Sequence, residues 1–283
     1  MNRIAIALLL LACPVAAASP ETESSDFIRF VESASGDSLQ TAIVRYQRDD
    51  GVKVDLVGAV HVADRAYFDA LNRRFTAYEA VLYELVGGPH PGTDQLRAGA
   101  AEERLAWLGR LQETLRRSLE LEGQLESVDY SASNFVHADL TTEAFFASQR
   151  ERQESFFGLW LKALQVQQAA AGDRPQPGLV ALLRILLSGD SATEMKRLIG
   201  REFDSLEPLL AGVETGGGTV IVGERNRHAL EVLQREIRNG RRKLAIFYGA
   251  AHLPDLETRL WALGFRRATI DYLKAWNLPA RKS

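Results

Sequence analysis

Apolar residues fall into short unbroken runs at both ends of this chain and into helical stripes between them. Phe27 to Val31 reads as a first strand. Thr41–Tyr46 and Val52–Val57 flank Asp49-Asp50-Gly51, the pattern of a β-hairpin and its turn. Asp64 is placed to cap a helix running to about Thr76, with Tyr67, Phe68, Leu71 and Phe75 on one face. Ala80 to Leu85 is then a short buried strand. Strand, helix and strand at this spacing make a βαβ unit, which predicts parallel pairing and a right-handed crossover.

After Gly87-Gly88-Pro89 the pattern changes. From about Ala100 to Val213 the strand signal is nearly absent. Leu105, Leu108, Gln112, Leu115 and Leu119 mark one helical stripe. Thr141-Thr142-Glu143 opens a long helix carrying Phe145, Phe146, Phe156, Phe157, Trp160 and Leu164. Gly172 to Pro177 breaks the pattern, and Ser191-Ala192-Thr193-Glu194 reads as a capping box. Gly216-Gly217-Gly218 returns the chain to strand and helix alternation: a strand at Thr219–Val222, a helix from Arg225 to Asn239, a strand at Leu244–Tyr248, a helix from Pro254 to Leu263 and a strand at Ala268–Tyr272. The expected fold is α/β, a mixed sheet with βαβ units at both ends of the chain and a large helical insertion forming a cap. Its divisions are a signal peptide at 1–18, the N-terminal part of the core at 19–98, the helical insertion at 99–215 and the C-terminal part of the core at 216–283.

The signal peptide is read from Asn2-Arg3, the apolar stretch Ile4–Ala12, Pro14 and the A-x-A site Ala16-Ala17-Ala18. The stretch is too short to span a bilayer. Export to the periplasm or medium follows, with lipid anchoring at Cys13 as the alternative, because Leu10-Leu11-Ala12-Cys13 loosely matches a lipoprotein box. Cleavage after Ala18 removes the only cysteine, which rules out a disulfide framework and a thiolate nucleophile. It also removes one basic residue, Arg3, and shifts the formal charge from −3 to −4. No basic surface for nucleic acid is evident, and no later apolar stretch is long enough to cross a membrane.

The chemistry gathers where strands end. Gly58-Ala59-Val60-His61 and Gly249-Ala250-Ala251-His252 each follow an apolar run; Glu84 follows Val81-Leu82-Tyr83, and Glu224-Arg225-Asn226 follows Thr219–Gly223. In open α/β sheets ligands bind outside the carboxyl ends of the strands, so these four ends are expected to form one site. Two histidines and a carboxylate (His61, Glu84 and His252) match the ligand set of a catalytic zinc site, whose open position holds a water. Arg225 has a fork that suits a carboxylate or a developing oxyanion. Gly58 and Gly249 let the backbone turn sharply and approach a ligand. His137 and Asp139 form a secondary pair, the histidine in a loop and the aspartate at the start of the next helix. His228 reads as an exposed helix residue and His90 as a loop residue.

Gly58-x-x-His61, Glu84, Arg225-Asn226 and Gly249-x-x-His252-Leu253, in that order, resemble the TraB/GumN/TIKI family of exported or membrane-associated proteins. The resemblance covers the α/β parts at both ends. It implies a fold shared with erythromycin esterases and haem-binding ChaN lipoproteins, and, from the TIKI branch, metal-dependent proteolysis. Carried over, it implies His61, Glu84 and His252 as the metal-binding or proton-handling set, with Arg225 and Asn226 orienting substrate or stabilising charge. Two departures stand out: Ala59 replaces the hydroxyl residue frequent after the first glycine, and Ala251 replaces the glycine frequent before the second histidine.

Three readings follow. The first is a metal-dependent hydrolase acting on a peptide or small molecule, with zinc, manganese or cobalt as the divalent ion. The second is a metal-free hydrolase in which a histidine and Glu84 activate water. The third is a periplasmic binding protein for a peptide, haem or metal, using the same cleft without turnover.

Overall fold

The expected hairpin forms, and the sheet grows from it. Arg48 and Val52 close the turn by a backbone hydrogen bond, Val52 N–H also donates to the Asp50 carboxylate, and Gly51 takes a positive φ of 86°. The computed structural model describes residues 26–87, 116–117, 119–151, 190–201 and 219–280. The expected signal peptide with Cys13, His90, the stripe from Leu105 to Leu115, the residues Phe156 to Leu164, the Gly172–Pro177 break and Gly216 to Gly218 lie outside these.

In chain order the strands are β1 (Ile28–Val31), β2 (Ser38–Gln47), β3 (Lys53–Ala59), β4 (Val62–Ala63), β5 (Ala80–Tyr83), β6 (Glu122–Gly123), β7 (Phe135–His137), β8 (Lys243–Gly249) and β9 (Arg266–Asn277). The helices are α1 (Arg65–Phe75), α2 (Gln124–Ser127), α3 (Thr142–Glu151), α4 (191–201), α5 (Arg225–Arg238) and α6 (Leu253–Ala262). Among the described residues the main sheet has seven strands: β3, β8, β5 and β7 are neighbours in parallel, β2 pairs antiparallel with β1, β3 and β9, and β4 and β6 pair separately. The fold is therefore α/β with a mixed sheet, as expected.

β3 and β5 are parallel but do not touch. β8, from the far end of the chain, lies between them, with Leu56 paired to Ile246 and Leu82 paired to Ile246 on its other side. The two α/β parts thus build one sheet by interleaving. Burial on both faces explains why the runs at Ala80–Tyr83 and Leu244–Tyr248 are continuous rather than alternating. Val81, Tyr83, Ala245 and Phe247 join α1 on one face; Leu82, Leu244, Ile246 and Tyr248 join α5 and α6 on the other. Fully burying a Leu, Ile or Phe at such positions contributes about 1.5–3 kcal/mol.

Four expectations need correcting. Thr219–Val222 is not a strand: Val220–Glu224 forms a π-helical turn running directly into α5. Thr219 accounts for this, since its Oγ1 accepts from Val222 N–H (3.1 Å) and its carbonyl accepts from Glu224 N–H (3.0 Å). Local hydrogen bonding outweighs the β-propensity of the Val-Ile-Val run. Second, the middle segment contains β7, which extends the main sheet beside β5. Third, Asp64 precedes α1 but its carboxylate makes no cap; it accepts from Asn277 N–H (2.7 Å) instead. Fourth, Ser191 lies inside α4, and Glu194 pairs with Arg197 rather than closing a capping box. α3 starts where Thr141-Thr142-Glu143 is expected to open a helix, and Thr141 Oγ1 caps it by accepting from Ala144 N–H. Among the described residues no helix is long and apolar enough to cross a membrane.

Candidate functional site

The four parallel strands deliver their chemistry to one end of the sheet. Glu84 is the first residue after β5, Asp139 the second after β7, His61 the second after β3, and His252 closes the short 3-10 turn Ala250–His252 after β8. Arg225 and Asn226 reach the same place from the first turn of α5, not from a strand end. The π-helical turn Val220–Glu224 leads directly into that first turn, and such turns recur at functional sites.

Arg225 is the hub. Its Nε and Nη2 donate to the two oxygens of Asp139 at 2.9 and 2.6 Å, Nη2 also donates to Glu84 Oε1 at 2.6 Å, and Nη1 lies 3.4 Å from His252 Nε2. Glu84 Oε2 accepts from Gly249 N–H at 2.6 Å, and its Oε1 is 3.4 Å from His252 Nε2. Behind the histidine, Asn226 contacts His252 Nδ1 at 2.8 Å and donates to the His252 carbonyl at 2.9 Å. Asp255 Oδ2 accepts from Asn226 Nδ2 at 2.8 Å and from Arg259 Nε at 2.6 Å. Tyr248 packs its ring edge-on to His252 and donates to the Ala138 carbonyl.

The cluster is withdrawn from water: Asp139 is 2% exposed, His252 5%, Arg225 8% and Asn226 0%. Charges so placed must be paired to survive. Burial disfavours the Glu84 carboxylate, but the Arg225 charge, His252 and the Gly249 N–H together hold its pKa well below the usual range. Burial likewise works against the Arg225 charge, and Glu84 and Asp139 more than offset it, raising its pKa. Burial, then Asp139 and Glu84, push the Tyr248 phenol well above its ordinary value.

The expected residues are thus only partly brought together. Glu84, Arg225, Asn226, Gly249 and His252 share one network. His61 stands exposed beyond β3, its carbonyl accepting from Gln124 N–H. Gly58, deeper in β3, faces backbone: a Cβ there would lie 3.2 Å from the Ala42 carbonyl. His137 ends β7 rather than sitting in a loop, and its Nε2 meets the Leu85 carbonyl at 2.7 Å. His228 is half-buried on α5, with Glu231 3.8 Å away. Asp139 does not start α3: it follows β7 and holds Arg225. Phe-Val-His followed by Ala-Asp is a short strand ending in a carboxylate, the same signal that marks Glu84, but too brief to stand out. Asp255 gave no signal beyond that of an acid in the first turn of a helix.

As a metal site the cluster fits at two ligands. His252 Nε2 and Glu84 Oε1 are 3.4 Å apart, the separation two ligands keep on one tetrahedral ion with bonds of about 2.1 Å. The Arg225 guanidinium, however, contacts both of those atoms, so an ion between them would face a fixed positive charge at close range. Among the described residues, no third His, Cys, Asp or Glu completes a metal-holding group with them.

No family model matches this chain, and neither curated proteins nor solved structures give a significant match.

Proposed function

We propose that this chain is an exported hydrolase of the TraB/GumN/TIKI kind that cleaves an ester or amide bond in a peptide or small molecule, using His252 and Glu84 to activate water without a metal. The observation carrying this reading is the placement of Arg225 against both Glu84 Oε1 and His252 Nε2. It keeps Glu84 ionised and puts a positive charge where a metal would otherwise bridge the pair. In the proposed reaction a water at Nε2 attacks the carbonyl carbon as Nε2 takes its proton. Glu84 Oε1, 3.4 Å away, stabilises the imidazolium. The C–O or C–N bond then breaks, and the imidazolium returns the proton to the leaving group. Asp139 contributes by holding Arg225 in place.

A second reading, a divalent ion held by His252 and Glu84 with His61 turned in from the end of the neighbouring strand β3 as third ligand, is favoured by the 3.4 Å spacing of the first two. The test is an ester and peptide screen on the mature chain with and without chelator, beside His252→Ala. Chelator-insensitive turnover lost in the variant supports the metal-free reading. Turnover abolished by chelator and restored by zinc, manganese or cobalt moves the assignment to the metal. Ligand capture without turnover leaves a binding protein.

A further inference from the structure

We infer that Asn226, Asp255 and Arg259 form a relay that decides which nitrogen of His252 faces the cluster, making Asp255 a positioning residue of the site. This rests on the proposed hydrolase only in taking His252 Nε2 as the working atom.

Donor and acceptor chemistry fixes the tautomer. One end of the Asn226 amide lies 2.9 Å from the His252 carbonyl oxygen and 2.8 Å from Asp255 Oδ2. A carbonyl and a carboxylate only accept, so that end is the NH2 group. The opposite end is therefore the carbonyl Oδ1, and it lies 2.8 Å from His252 Nδ1. An amide oxygen cannot donate, so Nδ1 must carry the hydrogen. The tautomer follows from the network without any proton being seen. The other nitrogen, Nε2, is left pointing at Glu84 Oε1 and Arg225 Nη1, each at 3.4 Å.

Asp255 is what makes the amide orientation costly to reverse. Flipping Asn226 would set its oxygen against both the His252 carbonyl and the Asp255 carboxylate. Asn226 is fully buried, so no solvent relieves that repulsion. Asp255 is itself held by Arg259 one helical turn on, and it sits in the first turn of α6, where a negative charge is favoured. The relay thus runs from a half-exposed ion pair to a buried imidazole. Partners of this kind, one bond removed from the chemistry, fix ring orientation and tautomer in other histidine sites.

The test is a long-range proton–nitrogen correlation spectrum of the full chain carrying nitrogen-15 histidine, recorded with the rings neutral. His252→Gln identifies the resonance among the five histidines. The expected parent spectrum has His252 in the Nδ1–H form, the opposite of the form free histidine prefers. Asn226→Leu should convert it to Nε2–H and lower kcat by about 10²–10⁴-fold, the scale seen when a catalytic histidine holds the wrong tautomer. Asp255→Ala, a milder change at a partly exposed site, should give a measurable mixture of tautomers and lower kcat by about tenfold at unchanged KM. An Nε2–H parent, or an Asp255→Ala variant with parental tautomer and kcat, overturns the relay. A parent with the Nδ1–H ring that hydrolyses nothing leaves the relay standing and removes the hydrolase.

Discussion

Asp139 and Arg225, 86 positions apart in the chain, are joined by two parallel hydrogen bonds of 2.9 and 2.6 Å in a region both leave almost wholly inaccessible to water. Two charge-assisted bonds in this fork-to-fork geometry are stronger than neutral ones and fix the orientation of the guanidinium. It is also what aims the remaining guanidinium edge at Glu84 and His252. Asp139→Ala would leave Arg225 with Glu84 as its principal counter-charge. The expected cost is about 3 kcal/mol of unfolding free energy, the range for removing one partner of a buried pair. Urea unfolding followed by circular dichroism measures it, and a loss below about 1 kcal/mol would contradict the hub assigned to Arg225.

Glu84 predicts how stability responds to acid. Its pKa is held well below the ordinary value of 4.5 in the folded chain. Between the folded and unfolded values the unfolded chain binds more protons, so stability rises with pH there. The Glu84 contribution is complete above about pH 4.5 and is lost as pH falls toward the folded pKa. Urea midpoints for the parent and Glu84→Gln should therefore keep a constant separation above about pH 5 and draw steadily together as pH falls below 4.5. Parallel curves across that window would sink the assignment.

Gly249→Ala tests how tightly Glu84 is held. The backbone at Gly249, φ −50° and ψ 138°, is open to alanine, so conformation is no obstacle. The added Cβ would stand 3.3 Å from Glu84 Oε2, which is already bonded to the N–H of the same residue. The carboxylate has nowhere to yield without losing that bond. A stability loss of about 1 kcal/mol is expected, with hydrolysis, where present, reduced more than stability. Full parental turnover would show that Glu84 Oε2 is not held as described.

His61 and His252 should behave differently on substitution. His252 is buried and contacts Glu84 and Arg225, whereas His61 is exposed. His252→Ala is expected to abolish turnover, and His61→Ala to change it less than about threefold with the fold intact in both. Metal content measured on the same variants separates the readings. Stoichiometric metal in the parent that disappears in both variants would favour the three-ligand site.

Much of this arrangement was legible in the residues, because the local rules that shape it act over a few positions. The hairpin at Asp50-Gly51, the α1 stripe of Tyr67, Phe68, Leu71 and Phe75, and the α5 helix stopped at Gly240 follow from turn chemistry and helical period. The run at Thr219–Val222 departs from its strand pattern because the Thr219 hydroxyl accepts a hydrogen bond from Val222 N–H that decides the local geometry, and propensity does not record that. The three residues of β7 carry too little pattern to mark a strand; pairing with Val81–Tyr83 makes it one.

The sequence alone determined that His, Glu, Arg and Asn would stand at the ends of elements, since apolar runs must bury and these polar residues fall where those runs stop. It also determined that the two ends of the chain share one α/β fold. Which of those residues meet was decided by tertiary structure. β8 enters between β3 and β5, bringing His252 to Glu84, and α5 lays Arg225 across them to meet Asp139. Spacing along a chain sets where a side chain leaves its element. Distance in space is set by strand order and by the need of buried charges for partners, and both are properties of the whole fold.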